Sequence, residues 1–228
     1  MDFEVHAGEV TALLGNNGAG KSTLIKILTG VYPPSEGIIF LRGREVRIDS
    51  PRDARELSIE TVYQDLALVP LMSAARNFFL GRELTGPFRV LQVRRMEGET
   101  RRALGDIGIE KFSETGNRSV SEPVGKLSGG ERQSVAIGRA VHFGASLLIL
   151  DEPTSALSVA ETEKVLSYTQ AAKRRGLGVI FISHSIHHVY LVSDRYTVLR
   201  HGRKTGDYVK GDLTEMGIAD IITGERER

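Results

Sequence analysis

The stretch that decides the fold reads Gly15-Asn16-Asn17-Gly18-Ala19-Gly20-Lys21-Ser22. It fits the pattern G-x-x-x-x-G-K-[ST], in which the glycines and the Lys-Ser pair have fixed positions. Residues 10–14 before it are apolar and predict a buried strand, and residues 22–28 after it predict a helix that ends at Gly30. We therefore expect a glycine-rich loop that connects a strand to a helix.

The chemistry of phosphate binding explains the spacing of this loop. Glycines let consecutive backbone N–H groups curve round a phosphate without a Cβ in the way, and the following helix adds the partial positive charge of its N-terminus. Lys21 can reach the β- and γ-phosphates, and the Ser22 hydroxyl can ligate Mg²⁺. A glycine-rich turn that merely precedes Lys-Ser would not require the strand and helix on either side. We therefore predict that residues 15–22 and Thr23 bind a nucleotide.

Two carboxylates follow a second apolar run. Residues 147–150 predict a buried strand, and Asp151 and Glu152 come directly after it. A strand that is buried on both faces delivers its C-terminal residues to the crevice where ligands bind in α/β sheets. Taken alone, the acid pair could equally lie in an exposed loop or cap a helix. Together with the phosphate loop it predicts that Asp151 holds Mg²⁺ and that Glu152 is the base that polarises the attacking water.

The order of the predicted elements indicates the fold class. Short β-rich runs alternate with helical patterns, which predicts an α/β fold on a mostly parallel sheet. Residues 38–41 and 45–48 predict a small antiparallel hairpin. Strand patterns are replaced by helical ones over residues 70–143. We expect one P-loop NTPase domain, with a RecA-like core of residues 1–69 and 144–228 and a helical subdomain of residues 70–143.

Composition excludes several classes of protein. The chain has 228 residues, 30 of them Lys or Arg and 29 Asp or Glu, so no basic excess points to nucleic acid. It has no Cys, which excludes disulfides and thiol chemistry. Its apolar runs are strand-length, and the sequence MDFEVHAGEV does not resemble a secretory signal. We expect a soluble cytoplasmic protein that meets a membrane only through a partner.

The run Leu127-Ser128-Gly129-Gly130-Glu131 adds a more specific signal. Together with the phosphate loop and Asp151-Glu152, this LSGGE run resembles the signature sequence of ABC ATPases. Other landmarks of that family occur in the expected order, namely Gln64, Ser155-Ala156-Leu157 and His184. Because two glycines precede the helical pattern of residues 131–141, we expect bare N–H groups and a helix N-terminus that face outward as a second anion site.

The resemblance implies a mechanism. It implies a head-to-tail homodimer in which Ser128, Gly129 and Gly130 of one protomer cover the ATP whose γ-phosphate is held by Lys21 of the other. It further implies that Gln64 contacts Mg²⁺ and the reacting water, and that His184 steadies the γ-phosphate. Lys21, Gln64, Glu152 and His184 are therefore the predicted catalytic residues.

Several longer stretches are similar to the ATPases of monosaccharide importers of the ribose, xylose and fructose kind. They are GNNGAGKSTLIKILTGVYPPSEG, ETVYQDLALVP with the later FLGRE, and ISHSIHHVYLVSDR. The resemblance implies that residues 65–82 receive a helix of a membrane permease, which in turn works with a sugar-binding protein on the far side. A single set of motifs resembles the single-cassette branch, so two copies would be needed. An exporter ATPase and a nucleotide-gated interaction module outside transport remain as alternatives.

The sequence departs from the family pattern in two places. Where many ABC ATPases have SALD, this chain has Ser158 as the fourth residue, and Ser158 with Glu161 fits an S-x-x-E capping box. The family also has an upstream strand with an aromatic residue that stacks on adenine, whereas Phe3 falls in the strand that follows it. Either the start lies further upstream or adenine is held more weakly, and our hypothesis is a truncated start.

Overall fold

The computed structural model describes residues 1–112 and 116–223. The strands are β1 Val10–Leu14, β2 Ile39–Leu41, β3 Arg44–Val46, β4 Ile59–Val62, β5 Leu147–Asp151, β6 Gly178–Ile182, β7 Arg195–Arg200 and β8 Arg203–Val209. The α-helices are α1 Lys21–Leu28, α2 Pro51–Glu56, α3 Ala74–Phe78, α4 Val93–Asp106, α5 Gly129–His142, α6 Val159–Arg174, α7 Ile186–Val192 and α8 Glu215–Thr223.

Six strands form the main sheet, in the order β4-β5-β6-β1-β7-β8. The pairs β1–β6, β1–β7 and β5–β6 are parallel, whereas β7–β8 is antiparallel. All five residues of β1 are buried, because this strand has a paired neighbour on each side and is covered on both faces. The prediction of an α/β fold on a mostly parallel sheet is confirmed.

The elements between β1 and β4 follow the local sequence signals. Strands β2 and β3 form the predicted antiparallel hairpin. Helix α2 begins with Pro51 in its first turn, and the Ser50 hydroxyl accepts a hydrogen bond from the Asp53 N–H. A proline at this position loses no helical hydrogen bond, and the serine satisfies a donor that the helix leaves unpaired.

Contacts divide the chain into two compact units. The first comprises residues 1–61, 145–152 and 173–228 and contains an apolar core built on Leu13, Ile149 and Ile180. Phe3 packs against this core but lies outside every strand, so its placement in a strand was wrong. The segment before β1 forms no strand, although the Gly8 N–H donates to the Leu177 carbonyl at 3.1 Å and the Glu9 carbonyl accepts from the Val179 N–H at 2.9 Å.

The second unit comprises residues 62–144 and 153–172. The expected helical subdomain of residues 70–143 is smaller than this unit, which also contains residues 62–69, 144 and 153–172. The physical reason lies in α6, whose first turn bonds to the start of α5 through Glu161 and Gly130. Within the described ranges, no helix is both long and apolar enough to cross a membrane.

Candidate nucleotide-binding site

The phosphate loop has a backbone that only glycine adopts readily at three positions. Gly15, Gly18 and Gly20 have φ angles of +144°, +79° and +105°. Gly15 is also confined, because a Cβ there would lie 2.3 Å from the Leu199 carbonyl oxygen. Gly20 is the N-cap of α1, and no described side chain caps that helix. The first-turn amides of α1 therefore lack a side-chain cap and could bind an anion.

Lys21 folds back over its own loop. Its Nζ donates to the carbonyl oxygens of Gly15 and Asn16, at 2.5 and 3.2 Å. Burial lowers the pKa of Lys21, against the opposing charges of Glu152 and Asp151. Both acceptors are neutral carbonyls, so a polyphosphate in the loop would offer this ammonium a stronger partner.

The remaining loop residues divide into an exposed group and a buried one. Ser22 and Thr23 are exposed in the first turn of α1, whereas Ala19 is buried. Asn17 and Gly18 are exposed at the outer part of the loop. The Asn16 side chain donates to the Ile222 carbonyl of α8, at 3.2 Å. Ser22, the predicted cation ligand of the loop, is therefore accessible.

Asp151 is the last residue of β5 and lies in register with Ile182 of β6. Burial raises the pKa of its carboxyl group, while the nearby charges of Lys21 and His184 lower it. An oxygen ligand at this position has the chemistry that Mg²⁺ prefers.

Glu152 has a strained backbone and an unsatisfied oxygen. Its φ of +50° is left-handed, and its N–H donates to the Ile182 carbonyl at 2.9 Å. Its side chain is only 15% exposed, and Oε1 accepts no hydrogen bond from any described residue. Burial raises the pKa of the Glu152 carboxyl, His184 lowers it and Asp151 raises it further. A buried carboxylate with a free lone pair is a suitable proton acceptor.

His184 follows β6 and lies beside Glu152. Its Nε2 is 3.4 Å from Glu152 Oε1, and its backbone N–H donates to Oε2 at 3.4 Å. The His184 side chain is 64% exposed, so the ring can turn toward a ligand as well as toward the carboxylate. The first unit thus brings together the phosphate loop, both carboxylates and His184.

Gln64 and the signature belong to the second unit. Gln64 is exposed, and its Nε2 donates to the Ser155 hydroxyl at 3.3 Å. Two of the landmarks that the family resemblance singled out are therefore direct neighbours.

Ser128 begins the signature helix with a complete capping box. Its hydroxyl accepts from the Glu131 N–H at 3.3 Å, and its own N–H donates to Glu131 Oε2 at 2.9 Å. Glu131 is buried and also contacts Lys111 and Arg118, at 2.9 and 3.3 Å. Burial would raise the pKa of Glu131, but the hydrogen bonds from Lys111 and the Ser128 N–H lower it overall. These contacts stabilise the start of α5.

The expectation of bare, outward-facing N–H groups was wrong for Gly130. This residue is buried, and its N–H donates to Glu161 Oε1 at 3.2 Å. The sequence indicated only a local capping box for Glu161. That box is present, because Glu161 Oε2 accepts from the Ser158 N–H at 3.1 Å. Nothing in the local pattern pointed to the longer-range contact with Gly130.

The chain is similar to several known proteins over nearly its whole length. A family model described as "ABC transporter" matches residues 1–155. A fructose import ATP-binding protein of Rhizobium meliloti is 41% identical, over 99% of this chain and 87% of that protein. A xylose/arabinose import ATP-binding protein of Sulfolobus acidocaldarius is 43% identical, over 98% of this chain and 86% of that protein. A Clostridium perfringens structure, described as part of an ABC transporter complex, has a TM-score of 0.76 at 27% identity and covers 98% of this chain and 84% of that one.

Proposed function

The chain belongs to the ABC transporter family of ATP-binding proteins, and we propose that it hydrolyses ATP to drive uptake of a monosaccharide through membrane permease subunits. The resemblance that the signature sequence indicated is thereby confirmed, and proteins of this family are ATPases. The two relatives are named as ATP-binding proteins of fructose import and of xylose/arabinose import, which supports a monosaccharide as the transported substrate.

The observation that carries the proposal is the convergence of the phosphate loop, Asp151, Glu152 and His184 in the first unit. In the proposed complex the loop amides bind the β-phosphate, and Lys21 exchanges its carbonyl partners for phosphate oxygens. The Gly15 cradle fits this role, because a side chain there would collide with the Leu199 carbonyl. Asn16, Asn17 and Gly18 border the same cradle.

Mg²⁺ fits the donors that are present. The Ser22 hydroxyl and the Asp151 carboxylate are the hard oxygen ligands that this ion selects, and Gln64 is a further predicted ligand. Within residues 1–112 and 116–223, no group of three or more His, Asp or Glu side chains could hold a metal by itself. Mg²⁺ bound together with the nucleotide would neutralise charge on the phosphates.

Glu152 is the proposed general base. It accepts a proton from water while the water oxygen attacks the γ-phosphorus, and the bond to the β–γ bridging oxygen breaks toward ADP. Its raised pKa suits this task, because a buried carboxylate is more basic than an exposed one. In this proposal His184, which lies beside Glu152, donates to the γ-phosphate.

The proposal extends to assembly. A head-to-tail homodimer would let Ser128, Gly129 and Gly130 of one copy cover the ATP bound by the other. Residues 65–82 would bind a helix of the permease. Gln64, next to them in sequence, would couple the presence of ATP to that contact. The protein would then lie on the inner face of the cell membrane, and a sugar-binding protein would deliver the cargo. The sugar itself is selected by those partners.

Reconstituted transport tests this function. The chain is placed in proteoliposomes with its membrane permease subunits and their binding protein, and uptake of labelled fructose, xylose and ribose is measured with ATP. We expect ATP-dependent uptake of one of them, its loss in Glu152→Gln and its retention in Glu163→Gln, an exposed acid on α6. ATP hydrolysis with no uptake of any sugar, or with sugar leaving loaded vesicles, would overturn import of a monosaccharide.

A further inference from the structure

The signature helix holds a carboxylate from its own chain. Glu161 Oε1 accepts the Gly130 N–H at 3.2 Å, and Oε2 accepts the Ser158 hydroxyl at 2.9 Å. A hydrogen bond from the Ser128 hydroxyl adds to these contacts, and together they lower the pKa of Glu161 to about 2. Glu161 is therefore an anion at the N-terminus of α5 at neutral pH.

The space for this carboxylate depends on Gly130. The backbone of Gly130 is helical, so its conformation does not require glycine. A Cβ there would instead lie 2.8 Å from Glu161 Cβ and 2.9 Å from Cγ, closer than real Cβ contacts. Glycine is needed at position 130 because the Glu161 side chain lies directly against its backbone.

A carboxylate and a terminal phosphate compete for the same donors. Both present anionic oxygens, and both are stabilised by the amides and partial positive charge of a helix N-terminus. In the proposed dimer, the Ser128 hydroxyl and the Gly130 N–H face the γ-phosphate bound by the partner. Glu161 engages these same two groups, and its charge would repel the phosphate.

We propose that Glu161 is an autoinhibitory latch: it occupies the signature in the free subunit and must withdraw before a second copy can dock its ATP there. This inference rests on the proposed function, since it assumes the ATP-bound homodimer. Withdrawal need not disrupt α6. Glu161 keeps the Ser158 N–H and hydroxyl as partners when it leaves Gly130, so the capping box can hold the helix while the signature is released.

A purely structural role would make the opposite prediction. If Glu161 only ties α6 to α5, weakening it loosens the signature and weakens the dimer. If it is a latch, weakening it exposes the signature and strengthens the dimer. Glu161→Gln keeps the size but removes the charge, and hydrogen bonds to a charged acceptor are roughly twice as strong as neutral ones. Glu161→Asp keeps the charge and the capping position but shortens the reach to Gly130.

The experiment measures ATP-dependent dimerisation by analytical ultracentrifugation, with Glu152→Gln as the common background to prevent turnover. Glu161→Gln and Glu161→Asp are each expected to tighten the dimer by about tenfold, the change that a lost charge-assisted hydrogen bond would produce. Glu163→Gln is the matched control, because it removes an exposed acid from the same helix and should leave the dimer unchanged.

The outcomes separate the latch from the function on which it rests. Dimers that are equal to or weaker than the background in both Glu161 variants overturn the latch and leave the dimer standing. Tightening in Glu161→Gln but not in Glu161→Asp also overturns it, because charge near the nucleotide would then explain the effect. If the background binds ATP, as calorimetry would show, but no variant dimerises, the proposed dimer fails. Urea unfolding of each variant checks that the fold is kept.

Discussion

Replacing Gly15 by alanine should damage the phosphate loop by a predictable amount. The added Cβ would lie 2.3 Å from the Leu199 carbonyl oxygen and 2.8 Å from the Ala19 Cβ. Both distances are shorter than real Cβ contacts, and the carbonyl belongs to β7, which is paired on both sides and cannot move freely. Forcing extra volume into such a site costs about 1–3 kcal/mol.

The backbone adds a second cost at the same position. Gly15 has a φ of +144°, where a side chain is strained by about 1–3 kcal/mol whatever the space. The two costs together predict a loss of about 2–6 kcal/mol of unfolding free energy, against a total of about 5–15 kcal/mol for a typical protein. Because the strain lies in the phosphate cradle, ATP affinity should fall as well.

Gly18→Ala is the matched control for this prediction. Gly18 also has a positive φ, of +79°, but no atom lies within 4 Å of a Cβ built there. The unfolding free energy of Gly18→Ala should therefore fall only by the cost of a side chain on a left-handed backbone, about 1–2 kcal/mol. Equilibrium urea unfolding followed by circular dichroism measures both variants, and calorimetry measures ATP binding. If Gly15→Ala proved no less stable than Gly18→Ala, the collision with Leu199 could not be the reason for this glycine.

Three further substitutions probe the site. Glu152→Gln should keep ATP binding in calorimetry but lower steady-state turnover by about 10²–10⁴-fold, and turnover within a few-fold of the original would remove Glu152 as base. The pKa of Glu152 is raised, so its charged form destabilises the original chain at a pH above that pKa. Glu152→Gln removes this cost, so its gain in unfolding free energy over the original chain should be larger at pH 7 than at pH 4. Lys21→Ala should lose ATP binding and turnover together, and normal binding would contradict the placement of the phosphates. Glu131→Gln should cost about 1–3 kcal/mol in urea unfolding, because Lys111 and Arg118 lose a buried charged acceptor, and an unchanged midpoint would contradict that role.

The sequence predicted those parts of the fold that depend on near neighbours. The strand, loop and helix over residues 10–28 follow from apolar periodicity and fixed glycines. Strand β8 was missed, because its exposed residues Arg203, Thr205 and Asp207 alternate with partly buried ones and the strand contains no apolar run. An edge strand of this kind is fixed by its pairing with β7, which no local pattern reveals.

The site shows the same limit. The phosphate loop and the Asp151-Glu152 pair are short motifs, so their chemistry could be inferred from residue types alone. The contact between Gly130 and Glu161 joins residues 31 positions apart and depends on how α5 and α6 pack. Each residue has a sufficient local explanation, as a glycine near a helix start and as half of a capping box. Neither local explanation predicts the contact between Gly130 and Glu161.

The left-handed backbone of Glu152 explains how two consecutive acids can serve one site. In a regular strand, successive side chains point to opposite faces, so Asp151 and Glu152 would be separated by the sheet. A φ of +50° at Glu152 ends that alternation directly after β5. Both carboxyl groups consequently feel the charges of Lys21 and His184, as the causes of their pKa shifts show. The turn costs about 1–2 kcal/mol in a non-glycine residue, and glycine would relieve it only by deleting the carboxylate. The strain therefore persists where, in the proposed mechanism, one acid holds an ion and its neighbour accepts a proton.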